Sequence, residues 1–281
     1  MKIIQSTLII LTALFLLACS EKFDIEIDDQ KFAKLVVEGQ LTTDEMEHIV
    51  TLKKTSSYFD NQSAERVSNA DIFATSDHGD TIIFTETSVA GVYKTLPGIS
   101  GKLDVSYHLN IQLEQQISGE STYRSELQKM NPVASVDSIQ LVFHPEWDNI
   151  CEIKIYAYDP VSVDFYMFLA YKNEVLVTDT INEFIVQDDI LFNGNYTHGI
   201  GSQFLDDDTE EQHLEPGDMV TFEICGISEK YYKYVLQVQT ELMGQNPMFG
   251  GPPANVAGNM NNGALGFFNV YSTKRSSTLV D

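Results

Sequence analysis

Six histidines, at positions 48, 78, 108, 144, 198 and 213, and an acidic run, Asp206-Asp207-Asp208-Thr209-Glu210-Glu211, with Asp188-Asp189 before it, are the residues best suited to hold a metal or move a proton. Zinc motifs space two histidines three or four residues apart so that one turn presents both to the ion, and no pair here has that spacing. Surface or strand positions are therefore the expected setting for the histidines. The acidic run supplies hard oxygens of the kind Ca²⁺ takes. It lacks the alternating Asp-x-Asp-x-Asp-Gly order that turns carboxylates inward, so it is read as a solvated loop and no metal is expected. A serine nucleophile needs a tight elbow such as Gly-x-Ser-x-Gly, which is missing from the sequence. No catalytic residue and no cofactor can be assigned, and the chain is expected not to be an enzyme.

Thiol chemistry divides in two. Alternation puts Cys151 on a strand face with Ile153 and Ile155, whereas Cys225 lies opposite the face of Val220, Phe222 and Ile224. A disulfide and two free buried thiols are both open, and the unlike faces favour the thiols. Cys19 has a different fate. Lys2 supplies a positive n-region, Leu8 to Leu17 an apolar h-region too short to span a bilayer, and Leu16-Leu17-Ala18-Cys19 forms a lipobox. Residues 1–18 are thus expected to be a signal peptide and Cys19 the lipidation site. Acyl chains there would anchor the chain to a membrane at about 0.8 kcal/mol per buried CH₂.

The net charge of −24 becomes one unit more negative once Lys2 is removed. A field of that sign repels phosphate, so nucleic acid is excluded as a partner class. Residues 19–33, with Ser20 to Asp29 polar and acidic, read as a tether. From Lys34 the pattern is that of β-structure. Leu35, Val37 and Leu41 alternate with polar neighbours, and Gly39 is expected at a close approach or bulge. The longest alternation runs from Leu103 to Leu113, with shorter segments at 48–53, 67–75 and 81–86. Together they predict a sandwich of roughly seven strands over 34–130. A boundary is placed near Asn131-Pro132. Residues 131–281 then form a second β-rich domain, with strands at 139–143, 151–158 and 165–171. One helix is expected near 228–243: Ser228 as N-cap, Glu229 in its first turn, and a core-facing stripe of Tyr231, Tyr234, Val235, Val238 and Leu242.

Residues 244–263 form a long irregular segment rich in proline, glycine and asparagine. Met248, Phe249, Pro252, Pro253, Asn255 and Asn259 make it a candidate binding loop. A scaffold loop pinned across the sandwich, its asparagines satisfying backbone groups, is the equal alternative.

Four segments in order, Leu35-Val36-Val37-Glu38-Gly39-Gln40-Leu41-Thr42, Tyr107-His108-Leu109-Asn110-Ile111, Pro132-Val133-Ala134-Ser135-Val136-Asp137-Ser138-Ile139, and Pro252 to Met260 leading to Gly266-Phe267-Phe268, resemble a Bacteroidota outer-membrane lipoprotein family known as domain of unknown function 4249. The resemblance implies a mainly β fold: an amino-terminal immunoglobulin-like or carboxypeptidase-regulatory-like sandwich, then a second β-rich part. It also implies a neighbourhood, because relatives are commonly encoded beside TonB-dependent transporters. The acidic tether resembles the signal that sends such lipoproteins to the cell surface. The expected role is a lipid-anchored, non-enzymatic accessory or binding component of TonB-dependent uptake, facing the cell exterior. Its ligand is an unidentified small molecule, peptide or glycan. A surface-attached hydrolase and a structural or adhesive sandwich are the alternatives. Asp80-Thr81-Ile82, Asp137-Ser138-Ile139 and Asp179-Thr180-Ile181 also resemble the O-glycosylation pattern of that bacterial group.

Overall fold

The computed structural model describes residues 33–55, 63–147, 149–243 and 256–281. Alternating sequence produces strands almost throughout: β1 (Leu35–Thr42), β2 (Ile49–Lys54), β3 (Ala70–Ser76), β4 (Thr81–Glu86), β5 (Val92–Lys94), β6 (Ser106–Ile117), β7 (Glu120–Arg124) and β8 (Gln128–Lys129) come first. They are followed by β9 (Val136–His144), β10 (Ile150–Ala157), β11 (Phe165–Lys172), β12 (Val175–Leu176), β13 (Ile185–Asp188), β14 (Ile200–Asp206) and β15 (Met219–Ile227). The helix α1 (Glu229–Met243) and a last strand, β16 (Leu265–Leu279), complete the described order. The fold is mainly β, sandwich-like, with two sheets and a single helix among the described residues.

The larger sheet runs β12-β11-β15-β16-β1-β2-β5-β4-β3-β6-β7, and β14-β10-β9 form the smaller one. β16 is the hinge of the design. Its first half pairs in parallel with β1, Val36 to Thr42 against Leu265 to Tyr271, and its second half pairs antiparallel with β15. One core gathers Leu35, Val37, Leu52, Ile72, Phe84, Tyr93, Leu109 and Tyr123 with Phe268 and Val270 of β16. A second lies between the sheets, where Ile139, Cys151, Ile153 and Leu205 meet Tyr166, Phe168, Phe222 and Ile224. On the opposite face of the large sheet, Met167, Leu169, Cys225, Ile227 and Tyr271 pack with Tyr231 and Tyr232 of α1. β11 is therefore buried on both faces, which is why Tyr166 to Ala170 form an unbroken buried run.

Close approach, not a bulge, accounts for Gly39: a Cβ there would sit 2.9 Å from Val50 Cγ2 and 3.3 Å from Phe268 Cδ2. The strand expected from Leu103 begins only at Ser106, because Asp104 takes a left-handed φ of 62° in a turn and leaves Leu103 half exposed. Ser228 caps the helix as expected, its Oγ accepting from Tyr231 N at 3.2 Å. Tyr231 and Tyr234 turn inward onto Phe267, with ring centroids 5.0 and 5.2 Å away, and Val235 is fully buried, while Leu242 stays exposed beyond the packed stripe.

Candidate functional site

Cys19, the expected lipidation site, and five members of the expected binding loop, Met248, Phe249, Pro252, Pro253 and Asn255, lie outside the described residues. Asn259 is described, and it is buried. Its Nδ2 donates to Phe268 O at 2.9 Å, its Oδ1 accepts from Phe268 N at 3.0 Å, and its carbonyl accepts from Glu126 N at 2.7 Å. The amide thus copies a strand partner for β16. Asn261 and Asn262 do the same for β7, through Arg124 N and Thr122 O. These contacts anchor the carboxy-terminal end of the segment to both neighbouring strands.

The acidic run closes on itself. Asp206 N donates to Gln212 Oε1, Asp207 Oδ1 accepts from Leu214 N, and Asp208 Oδ1 accepts from Asn149 Nδ2. Cys151 and Cys225 are free and buried. Burial pushes the Cys151 thiol up to about 12 and Cys225 well above its ordinary value, so neither supplies a thiolate near neutrality. Thr81, Ser138 and Thr180 of the three short Asp-Ser/Thr motifs are all exposed.

One histidine departs from its expected setting. His48 is fully buried, its Nε2 2.9 Å from Ile99 O, and desolvation holds it below the usual imidazole value and therefore neutral. Among the strand histidines, His108 lies beside Arg124 and His144 beside Glu152.

His144 belongs to the first of two surface features. On the solvent face of the small sheet, His144 at the end of β9 places Nε2 2.9 Å from Glu152 Oε2 on β10, and Lys154 Nζ lies 3.6 Å from that same oxygen. Trp147, in the β9–β10 turn, stacks on the imidazole with centroids 4.1 Å apart and planes within 12°. It remains 55% exposed. Directly across the sheet, Phe204 of β14 is the cross-strand partner of Glu152 and is 44% exposed. Tyr156 donates its hydroxyl to Gln140 Oε1 at 2.9 Å. Two glycines, Gly199 just before β14 and Gly201 within it, keep this face flat. A Cβ at Gly199 would stand 2.7 Å from the Tyr156 ring tip, and one at Gly201 would overlap the Glu152 carboxylate. Both side chains therefore lie along the sheet.

The second feature is a pair of loops at the other end of β10, residues 158–164 and 189–197. Backbone bonds zip them: Asp159 N to Asn195 O, Gly194 N to Pro160 O, and Asp189 N to Asp164 O. Side chains add Asn193 Nδ2 to Ser162 O and Asp164 N to Asp189 Oδ2. Within this lock, Asp159 is 2% exposed. Its Oδ1 accepts from Tyr166 at 2.6 Å, and its Oδ2 makes no well-formed hydrogen bond. Desolvation, with Asp189 and Asp164 nearby, raises its carboxyl above the ordinary 3.8. Outward, the same loops present Val161, Val163, Ile190 and Leu191, each at least 74% exposed. Neither feature was singled out from the sequence. The available signals were the sole tryptophan, set in a polar turn after Pro145, and aliphatic residues embedded in stretches rich in Asp, Asn and Pro.

No curated protein matches the chain. The profile of the family described as "Domain of unknown function (DUF4249)" matches residues 20–277. That span covers nearly the entire chain after Cys19, and the protein belongs to the DUF4249 family.

Proposed function

We propose that this protein is a lipid-anchored, non-enzymatic component of the outer membrane, displayed outward, that binds a ligand and docks on a TonB-dependent transporter. The loop pair carries the docking half of this reading. Aliphatic side chains so exposed on a soluble fold mark an interaction surface, and each contributes roughly 1.5–3 kcal/mol when a partner covers it. Because backbone bonds already fix the loops, little conformational entropy opposes binding. Asp164 and Asp188 accompany them at the surface, with no Lys or Arg in 158–164 or 186–199. The fitting partner is therefore an apolar recess rimmed by basic side chains rather than an anionic lipid surface. The lipobox at Leu16 to Cys19 supports the anchor.

Purification of the carboxy-terminally tagged protein from outer membranes in mild detergent, followed by a salt wash and mass spectrometry, tests this. The expected result is a stoichiometric transporter with the wild type and its loss with Val161→Asp and Leu191→Asp. Fractionation with the inner membrane, or equal recovery by the two variants, would overturn the reading.

A further inference from the structure

We propose that the solvent face of the β14-β10-β9 sheet is a platform for a neutral oligosaccharide. The inference rests on the binding half of the reading above and names the ligand class. Trp147 and Phe204 offer exposed aromatic planes, and aromatic planes pack on the apolar ring faces of sugars. His144 and Phe204 are two strands and two residues apart, on the order of 12 Å by strand spacing and rise, room for more than one sugar ring. Between them His144 and Glu152 are already mutually oriented, and further along the same face Lys154 reaches Glu152 and Tyr156 reaches Gln140. Fixed donors and acceptors of this kind suit hydroxyl groups, because they pay little ordering cost on binding.

Charge narrows the choice. Glu152 is held by Lys154 and His144, and the exposed Glu146 of the turn stands on the far side of the His144 ring, so the carboxylates do not converge on a cation. A molecule of net charge −24 repels a polyanion. Shape narrows it further, since Gly199 and Gly201 let Tyr156 and Glu152 lie flat and leave an open strip instead of a pocket. An extended, uncharged, polyhydroxylated chain fits all of these conditions.

Because Trp147 is the only tryptophan in the sequence, its emission reports on this face alone. The full-length lipidated protein, held in a detergent without a sugar headgroup, is titrated with maltohexaose, cellohexaose, xylohexaose and mannohexaose. A saturable emission change with at least one of them is expected, indifferent to salt and weakened about tenfold in Phe204→Ala. Silence toward all four up to about 10 mM, or an undiminished response in Phe204→Ala, overturns the proposal. So does saturation by a casein peptide digest in their place. The titration needs no transporter, so the two readings fail separately: emission can stay silent while the transporter co-purifies, and the reverse.

Discussion

Glu223 and Asp159 are both 2% exposed carboxyl residues in the carboxy-terminal part of the fold, yet they are held in opposite ways. Glu223 Oε2 accepts from Arg275 Nε at 2.5 Å, and Cys225 Sγ donates to its Oε1 at 3.3 Å. Arg275 also reaches Asp44, which accepts from Thr273 at 2.9 Å, so the network ties β15 and β16 to the segment following β1. Asp159 has one tyrosine hydroxyl on Oδ1, while its Oδ2 makes no well-formed hydrogen bond and only the Gly194 backbone lies near to favour the charge. A satisfied buried charge sits on the helix-bearing face of the large sheet, beside Cys225. An unsatisfied one sits beneath the loops that carry the exposed aliphatics, the place where a fold tolerates local cost for the sake of a surface.

Removing one member of the satisfied network gives the largest expected effect. Arg275→Ala leaves Glu223 buried without its cation and is expected to destabilise by about 3–5 kcal/mol in denaturant unfolding. Should the loss stay near the 0–1 kcal/mol of a surface pair, Arg275 does not hold Glu223 as a buried charge. Asp159→Asn tests the opposite member: it removes the desolvated charge, keeps an acceptor for Tyr166, and should stabilise at pH 7 by about 1 kcal/mol. Its pH dependence has a definite sign. The folded-state carboxyl titrates above 3.8, so its stabilising contribution is complete below that value and lost as pH rises through the folded value. The wild type should therefore lose melting temperature relative to Asp159→Asn across that window, and parallel curves would remove the claim of strain. Least of the three, Ser228→Ala removes the cap of α1 and should cost about 1 kcal/mol, with both carboxyl sites unaffected.

The strands were legible where one face is buried and the other wet, as in β4, whose bounds of 81–86 match the expected segment. Helix α1 was legible because cap, dipole and stripe agree. Partner choice was not. Alternation in β1 says which side chains point inward, but not that its parallel neighbour is a strand beginning at Leu265. The surface features were hidden for a related reason. Val161 and Leu191 are chemically indistinguishable from core residues, and only the bonds between two loops distant in sequence show that they face outward. Phe204 reads as one more strand aromatic until its register opposite Glu152 is known.

The strand that pairs with both β1 and β15 also governs when this molecule can become itself. Thr43 and Thr273 come within 3.5 Å although 230 residues separate them, and the parallel β1–β16 ladder lies at a comparable separation. Contacts that distant must pay their loop-closure entropy before they return any stabilisation, which makes folding slow. The first core lacks Phe268 and Val270 until β16 arrives, so a nascent amino-terminal half can form hairpins but cannot close. The last strand to leave the ribosome is thus the one that turns a set of hairpins into a closed fold.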